Sequence, residues 1–138
     1  MTFETSIEIF ASVDQVYAAF SDPKRLARWW GPDGFTNTFD VCDFATGGKW
    51  LYVMHGPDGK NYPNESIFQE ILAKKKIVIS HVSNPKYVLT IALTSTQKGT
   101  RVSWSQAFEN EKVAKAIEHI VVPANDQNLV RLAKEVHP

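Results

Sequence analysis

Tyr87–Phe108, YVLTIALTSTQKGTRVSWSQAF, is the stretch on which the fold turns. Leu89, Ile91 and Leu93 share one parity, and beyond Lys98-Gly99 so do Val102, Trp104, Gln106 and Phe108. A period of two sends successive side chains to opposite faces, so two strands joined by a tight turn are predicted. After Asn110 the period changes to that of a helix, with Val113, Ala116, Ile117, Ile120 and Val121, and then Leu129, Leu132, Ala133 and Val136. Pro123 interrupts this run. Proline lacks a backbone donor and pushes the preceding Val122 toward extended geometry, so a break or kink is expected, with the final helix running from about Pro123 or Ala124 to Val136.

Working outward, the same alternation holds for Trp50, Tyr52 and Met54, and for Ile77, Ile79 and His81. Turn chemistry at Gly47-Gly48, Gly56-Pro57-Asp58-Gly59, Lys74-Lys75, Asn84-Pro85 and Lys98-Gly99 divides Phe35–Phe108 into six successive strands. Each same-parity set is expected to face one core. The opposite parity is mixed, with Leu51, Val53, Val78 and Val82 beside Lys49, Ser80, Arg101 and Ser103. Phe3–Phe10 reads as a strand, Ser12 with Gln15 as a capping box opening a short helix, and Asp22-Pro23 as the start of a second one that ends at Gly31-Pro32. Strand, two short helices, six-stranded antiparallel meander and terminal helix make an α+β chain. The long C-terminal helix must then cover the sheet's apolar face, which is the basis of a helix-grip fold with a curved sheet wrapped around that helix.

The 138 residues fit one domain spanning 1–138, and 15 Lys and Arg balance 15 Asp and Glu. With no net charge there is no field to draw the chain onto nucleic acid. The single Cys42 cannot form an internal disulfide, and neither a leader nor a membrane-spanning apolar run is read, so a cytoplasmic location without membrane insertion is expected. His55, His81, His119 and His137 stand at no metal-ligand spacing, so no metal and no cofactor is assigned. The Gly-rich stretches fit hairpin turns and lack the strand-to-helix order of a phosphate cradle.

Several strings carry a resemblance. Asp22-Pro23 with Leu26-Ala27-Arg28-Trp29-Trp30-Gly31-Pro32 and Gly34-Phe35-Thr36-Asn37, Gly47-Gly48-Lys49-Trp50, and Val53-Met54-His55-Gly56-Pro57-Asp58-Gly59 with Tyr62-Pro63-Asn64 resemble the activator of heat-shock protein ninety ATPase homologue family. That family belongs to the SRPBCC or START-like group. Glu70-Ile71, Gly99-Thr100-Arg101, Phe108, Gln127, Leu129, Arg131 and Leu132 extend the likeness over nearly the whole chain. One departure stands out: the family's last helix usually opens with Gly-Trp, where this chain has Ala124-Asn125 beside Pro123. The resemblance implies a helix-grip fold, with functions in the wider group that include lipid transfer and polyketide cyclisation.

Candidate site residues follow from the inward parity and the polar tips on it. Trp30, Phe35, Trp50, Tyr52, Met54, His81, Leu89, Ile91, Trp104, Asn125 and Leu129 are expected to line a cavity between the terminal helix and the sheet, with Tyr52, His81, Trp104 and Asn125 orienting a small apolar or amphipathic molecule. No catalytic residue is assigned. Two alternatives are carried: a cyclase- or dehydratase-like enzyme, which would need His81 beside a carboxylate, and a co-chaperone, since the family's eukaryotic namesake stimulates a chaperone ATPase. A homodimer is left open.

Overall fold

The structure is a computed structural model describing residues 1–137. Strand β1 (Thr2–Ile9) leads into helices α1 (Val13–Ser21) and α2 (Pro23–Trp29). Six strands follow: β2 (Thr36–Cys42), β3 (Lys49–His55), β4 (Asn61–Leu72), β5 (Lys76–His81), β6 (Tyr87–Ser95) and β7 (Thr100–Phe108). Helix α3 (Glu111–Val136) completes the chain. All strands pair antiparallel in the order β1-β7-β6-β5-β4-β3-β2, so the meander is closed on one side by the first strand. This is the α+β helix-grip architecture that the period switch after Asn110 predicts. The register slips between Phe39 and Val41 and between Phe68 and Glu70, and such bulges bend a strand and increase its twist, which helps curve the sheet around α3.

The caps fall where the chemistry puts them. Ser12 accepts from the Gln15 backbone while Gln15 Oε1 accepts from the Ser12 amide at 2.9 Å, and Asp22 accepts from the Lys24 amide ahead of Pro23. Asn110 Oδ1 accepts from the Val113 amide at 3.1 Å and opens α3. The expected break at Pro123 does not occur: α3 is one helix of 26 residues with the proline inside it. The lost donor costs one hydrogen bond, to the His119 carbonyl one turn back. Anchors on both sides of Pro123, described below, hold the axis together in spite of it.

The parity sets point inward as a group. Trp50, Tyr52, Phe68, Ile77, Ile79, Leu89, Ile91, Leu93, Val102 and Trp104 are buried in one cluster with Trp29, Trp30, Leu129 and Leu132. Burying each such side chain is worth about 1.5–3 kcal/mol, so this cluster is the main source of stability. A second, smaller cluster gathers Phe3, Phe108 and Ala114, with Tyr87, Ile117 and Val121 packed against it. Helix α3 therefore rests on two different cores along its length.

Candidate functional site

The site begins where α2 ends. Trp30 caps that helix, its amide donating to the Leu26 carbonyl at 3.0 Å, and Gly31 follows at φ +100°. The positive φ is what requires glycine here, since the atom closest to an added Cβ is Met54 Cε at 2.8 Å, the tip of a flexible side chain that can move aside. The turn sends the Trp30 indole into the sheet. The ring centroids lie 4.9 Å from Trp50, 5.6 Å from Trp104 and 5.6 Å from Trp29. Trp29 faces the other way, donating its Nε1–H to the Ala19 carbonyl at 2.9 Å and packing edge-on against Phe20. The two adjacent tryptophans thus divide the work: Trp29 locks α2 to α1, and Trp30 fills the sheet.

The loop after Trp30 is clamped from α3. Arg131 is half-buried and donates to five carbonyls: Nη1 to Trp30 at 3.3 Å, Gly31 at 2.9 Å and Pro32 at 2.9 Å, and Nη2 to Arg28 at 2.9 Å and Phe35 at 2.8 Å. Arg28 and Trp30 supply carbonyls of the α2 C-terminus, where a guanidinium meets the negative end of the helix dipole, and Gly31, Pro32 and Phe35 supply those of the loop that follows. Asn37 Nδ2 donates to the Trp30 and Ala27 carbonyls from the other side, and Asn128 Oδ1 accepts from the Gly31 amide at 3.2 Å. One turn from Arg131, Glu135 receives Arg28 through two hydrogen bonds and Arg25 through a third, which hold its carboxyl below the usual range.

Between this clamp and the sheet lies a cavity of about 150 Å³. Its walls are Trp30, Met54, Tyr87, Leu89 and Trp104, and its other side is α3 from Ile120 to Asn128. Polar groups meet where α3 faces β7. Asn125 Nδ2 donates to Gln106 Oε1 at 2.9 Å, and Asn125, Gln106 and Asn128 are all buried. Two buried indole nitrogens in the neighbouring interior, Trp104 Nε1 and Trp50 Nε1, have no hydrogen-bond partner. An orphaned buried donor costs about 1–3 kcal/mol, and such groups in a native interior call for a cause. Burial pushes the Tyr52 phenol up to about 12, with Ser66 and Trp30 beside it drawing it back down.

Of the eleven residues singled out from sequence, Trp30, Met54, Leu89, Trp104 and Asn125 line this cavity. Trp50, Tyr52, Ile91 and Leu129 share its face but sit in filled core around it. Phe35 lies on the clamped loop, its ring 6.0 Å from Tyr62. His81 is buried but stands elsewhere, at the end of β5. Its Nδ1–H donates to the Pro85 carbonyl at 2.7 Å, Nε2 lies 2.6 Å from Asn64 Oδ1, and Tyr87 stacks on the ring at 4.5 Å. Burial pushes this imidazole below its ordinary value. No carboxylate is among its hydrogen-bond partners, so the acid–base pairing that the enzymatic alternative needs is not formed there.

Sequence reading missed Gln106, Asn128 and Tyr87 as wall residues, and it missed the clamp of Arg131. Asn128 carries a faint signal, since it stands three residues after Asn125 on the stripe that leads to Leu129. Among the described residues no group of His, Cys, Asp and Glu is arranged to hold a metal ion, and no helix is long and apolar enough to cross a membrane.

Residues 11–137 match the model of the family described as Activator of Hsp90 ATPase homolog 1-like protein. No curated protein matches the chain. Among solved structures, a protein from Nitrosomonas europaea superimposes with a TM-score of 0.90 at 20% identity, covering 99% of this chain and 94% of its own. A Chromobacterium violaceum protein gives 0.87 at 24% identity, with 100% and 99% covered. The AHSA1-like protein from Aeromonas hydrophila gives 0.78 at 20% identity, with 99% and 92% covered. These three share the fold of the chain.

Proposed function

The chain belongs to the Activator of Hsp90 ATPase homolog 1-like family, and from that premise we propose that it binds a small, largely apolar molecule between α3 and the sheet. The observation that carries this reading is the cavity of about 150 Å³ itself, walled mainly by aromatic and aliphatic side chains with the amides of Gln106, Asn125 and Asn128 among them. A space of this size suits one ring: an engineered apolar cavity of about the same volume takes up benzene. Lipid chains and extended polyketides belong to sites of roughly 300–1,000 Å³, so the occupant is a compact molecule with one polar group. Trp30, Trp104 and Leu89 supply its contact area, and Asn125 and Asn128 supply the polar side.

Melting curves with toluene, phenol and p-cresol test the reading. A ligand that binds only the folded chain adds about 2.7 kcal/mol at a hundredfold excess over Kd, which moves the melting temperature by several degrees. The reading fails if all three leave the midpoint where it was at saturation.

A second reading, contact with a chaperone, is favoured by the exposed apolar residues Val113, Ile120 and Val122 on α3 together with the family's description. A pull-down with purified Hsp90 that retains the chain, and loses it on Ile120→Asp, would support that reading over the first.

A further inference from the structure

Three buried amides border the cavity, and each keeps hydrogen-bonding capacity that the protein does not use. Gln106 on β7 and Asn125 and Asn128 on α3 are 7%, 9% and 6% exposed, and all three are wall residues. The Gly31 amide, which can only donate, occupies Asn128 Oδ1, so the Asn128 Nδ2 group is left without a partner among the described residues. Asn125 Nδ2 donates to Gln106 Oε1 at 2.9 Å, which leaves Asn125 Oδ1 and Gln106 Nε2 over. Turning both amides of this pair exchanges the two roles but still leaves one N–H group and one carbonyl oxygen. Trp104, two residues before Gln106 on the same face of β7 and also in the wall, has an indole N–H that no protein group accepts.

The leftover capacity is thus rich in donors, with one acceptor, and it carries no charge. Among the described residues no Lys, Arg, His, Asp or Glu lines the cavity, and the Arg131 guanidinium is taken up by five carbonyls of α2 and its loop. An ion brought into this space would lose its hydration with no opposite charge to replace it. The occupant that fits is therefore neutral, and its polar group accepts more than once and donates once. A carboxamide does both: its carbonyl oxygen has two lone pairs for Gln106 and Asn128, and its N–H meets Asn125 Oδ1. A phenol has to do all of this through one oxygen, and a ketone cannot donate at all.

We infer that the cavity recognises a small neutral aromatic carboxamide, with Gln106, Asn125 and Asn128 as its specificity-determining residues. This rests on the proposed ligand-binding reading and names the chemical class of the ligand. The ring takes its contact area from Trp30, Trp104 and Leu89, and the amide lies between β7 and α3.

Calorimetric titration with benzamide, acetophenone, toluene and benzoate tests the inference, since these one-ring probes differ in the polar group alone. Expected is that the unaltered chain binds benzamide roughly tenfold or more tightly than the other three, because each of them leaves buried groups of the site unpaired or brings in an unmatched charge. Asn125→Leu combined with Gln106→Met replaces both partners of the pair by apolar groups of similar shape, a change that spares the fold because it leaves no orphan behind. That variant should lose the preference for benzamide and bind toluene at least as well as before. Gln106→Met alone keeps the side-chain length and removes one amide, and it serves if the double variant does not fold. If acetophenone, toluene or benzoate binds the unaltered chain as tightly as benzamide, or if the variants keep the full preference, the inference is overturned and the ligand-binding reading stands. If none of the four binds, both fall together.

Discussion

The two halves of α3 have different relations to the same sheet. From Ala124 to Val136 the helix buries Asn125, Asn128, Leu129 and Leu132, and it is tied to α2 and its loop by Arg131 and Glu135. From Glu111 to Val122 only Ala114 is buried, while Val113, Ile120 and Val122 are 38%, 58% and 43% exposed. Pro123 stands at the join, where one intrahelical hydrogen bond is missing. The cavity lies at this boundary, with Ile120 and Val121 on the loose side and Asn125 and Asn128 on the tight side. Under the proposed ligand-binding reading, a molecule would enter from the side where α3 buries few apolar groups, because local opening concentrates where such contacts are few.

The contrast can be broken at several points. Leu129→Ala empties a site that is 1% exposed and is expected to cost about 3–4 kcal/mol, whereas Ile120→Ala stays within about 0.5 kcal/mol; denaturant melts of the pair check the difference. Arg131→Met removes the donor from five carbonyls at once, and a loss of about 3 kcal/mol is expected, seen as a lower midpoint and faster amide exchange at Gly31. Pro123→Ala restores the donor to the His119 carbonyl and evens out the two halves. It should stabilise by about 2 kcal/mol, part of the ~3 that a helical proline costs, and slow exchange across 111–122.

The smallest effect comes from Glu135→Gln, about 1 kcal/mol at neutral pH, since the Arg28 partner is 60% exposed and screened by water. Its pH dependence is diagnostic. The Arg28 hydrogen bonds, and then those of Arg25, lower the folded-state pKa of Glu135 below the unfolded value. The unfolded chain therefore binds the proton first as pH falls, and the pair's stability is full above the ordinary glutamate range and lost on acidification through the lowered value. The gap between the two proteins should close in that acid window and nowhere above it.

How much of this was legible depended on how local each cause was. Strands and turns were readable because parity and turn residues act within a few positions: Lys98-Gly99 and Gly47-Gly48 each fall between strands. The inward face was readable for the same reason, as the burial of Trp50, Ile79, Ile91 and Trp104 shows. Parity does not tell where along a face the interior is filled, however, so Trp50 and Leu89 look alike in sequence while only Leu89 borders the cavity. His81 shares its face with Ile77 and Ile79, but the end of its strand carries it under Tyr87. The break expected at Pro123 failed because a local penalty of a few kcal/mol competes with anchors from β7, α2 and β1, among them Thr5 donating to Asp126 at 2.6 Å. None of those partners lies near residue 123 in the chain.

The pairing of β1 with β7 sets a timetable as well as a shape. Thr2 lies opposite Ala107 and Ile9 opposite Thr100, so β1 has no neighbour in the sheet until β7, which begins at Thr100, has been made. Contacts of such long sequence separation form slowly, and until then Phe3, Ile7 and Ile9 present an unpaired apolar edge to whatever is nearby.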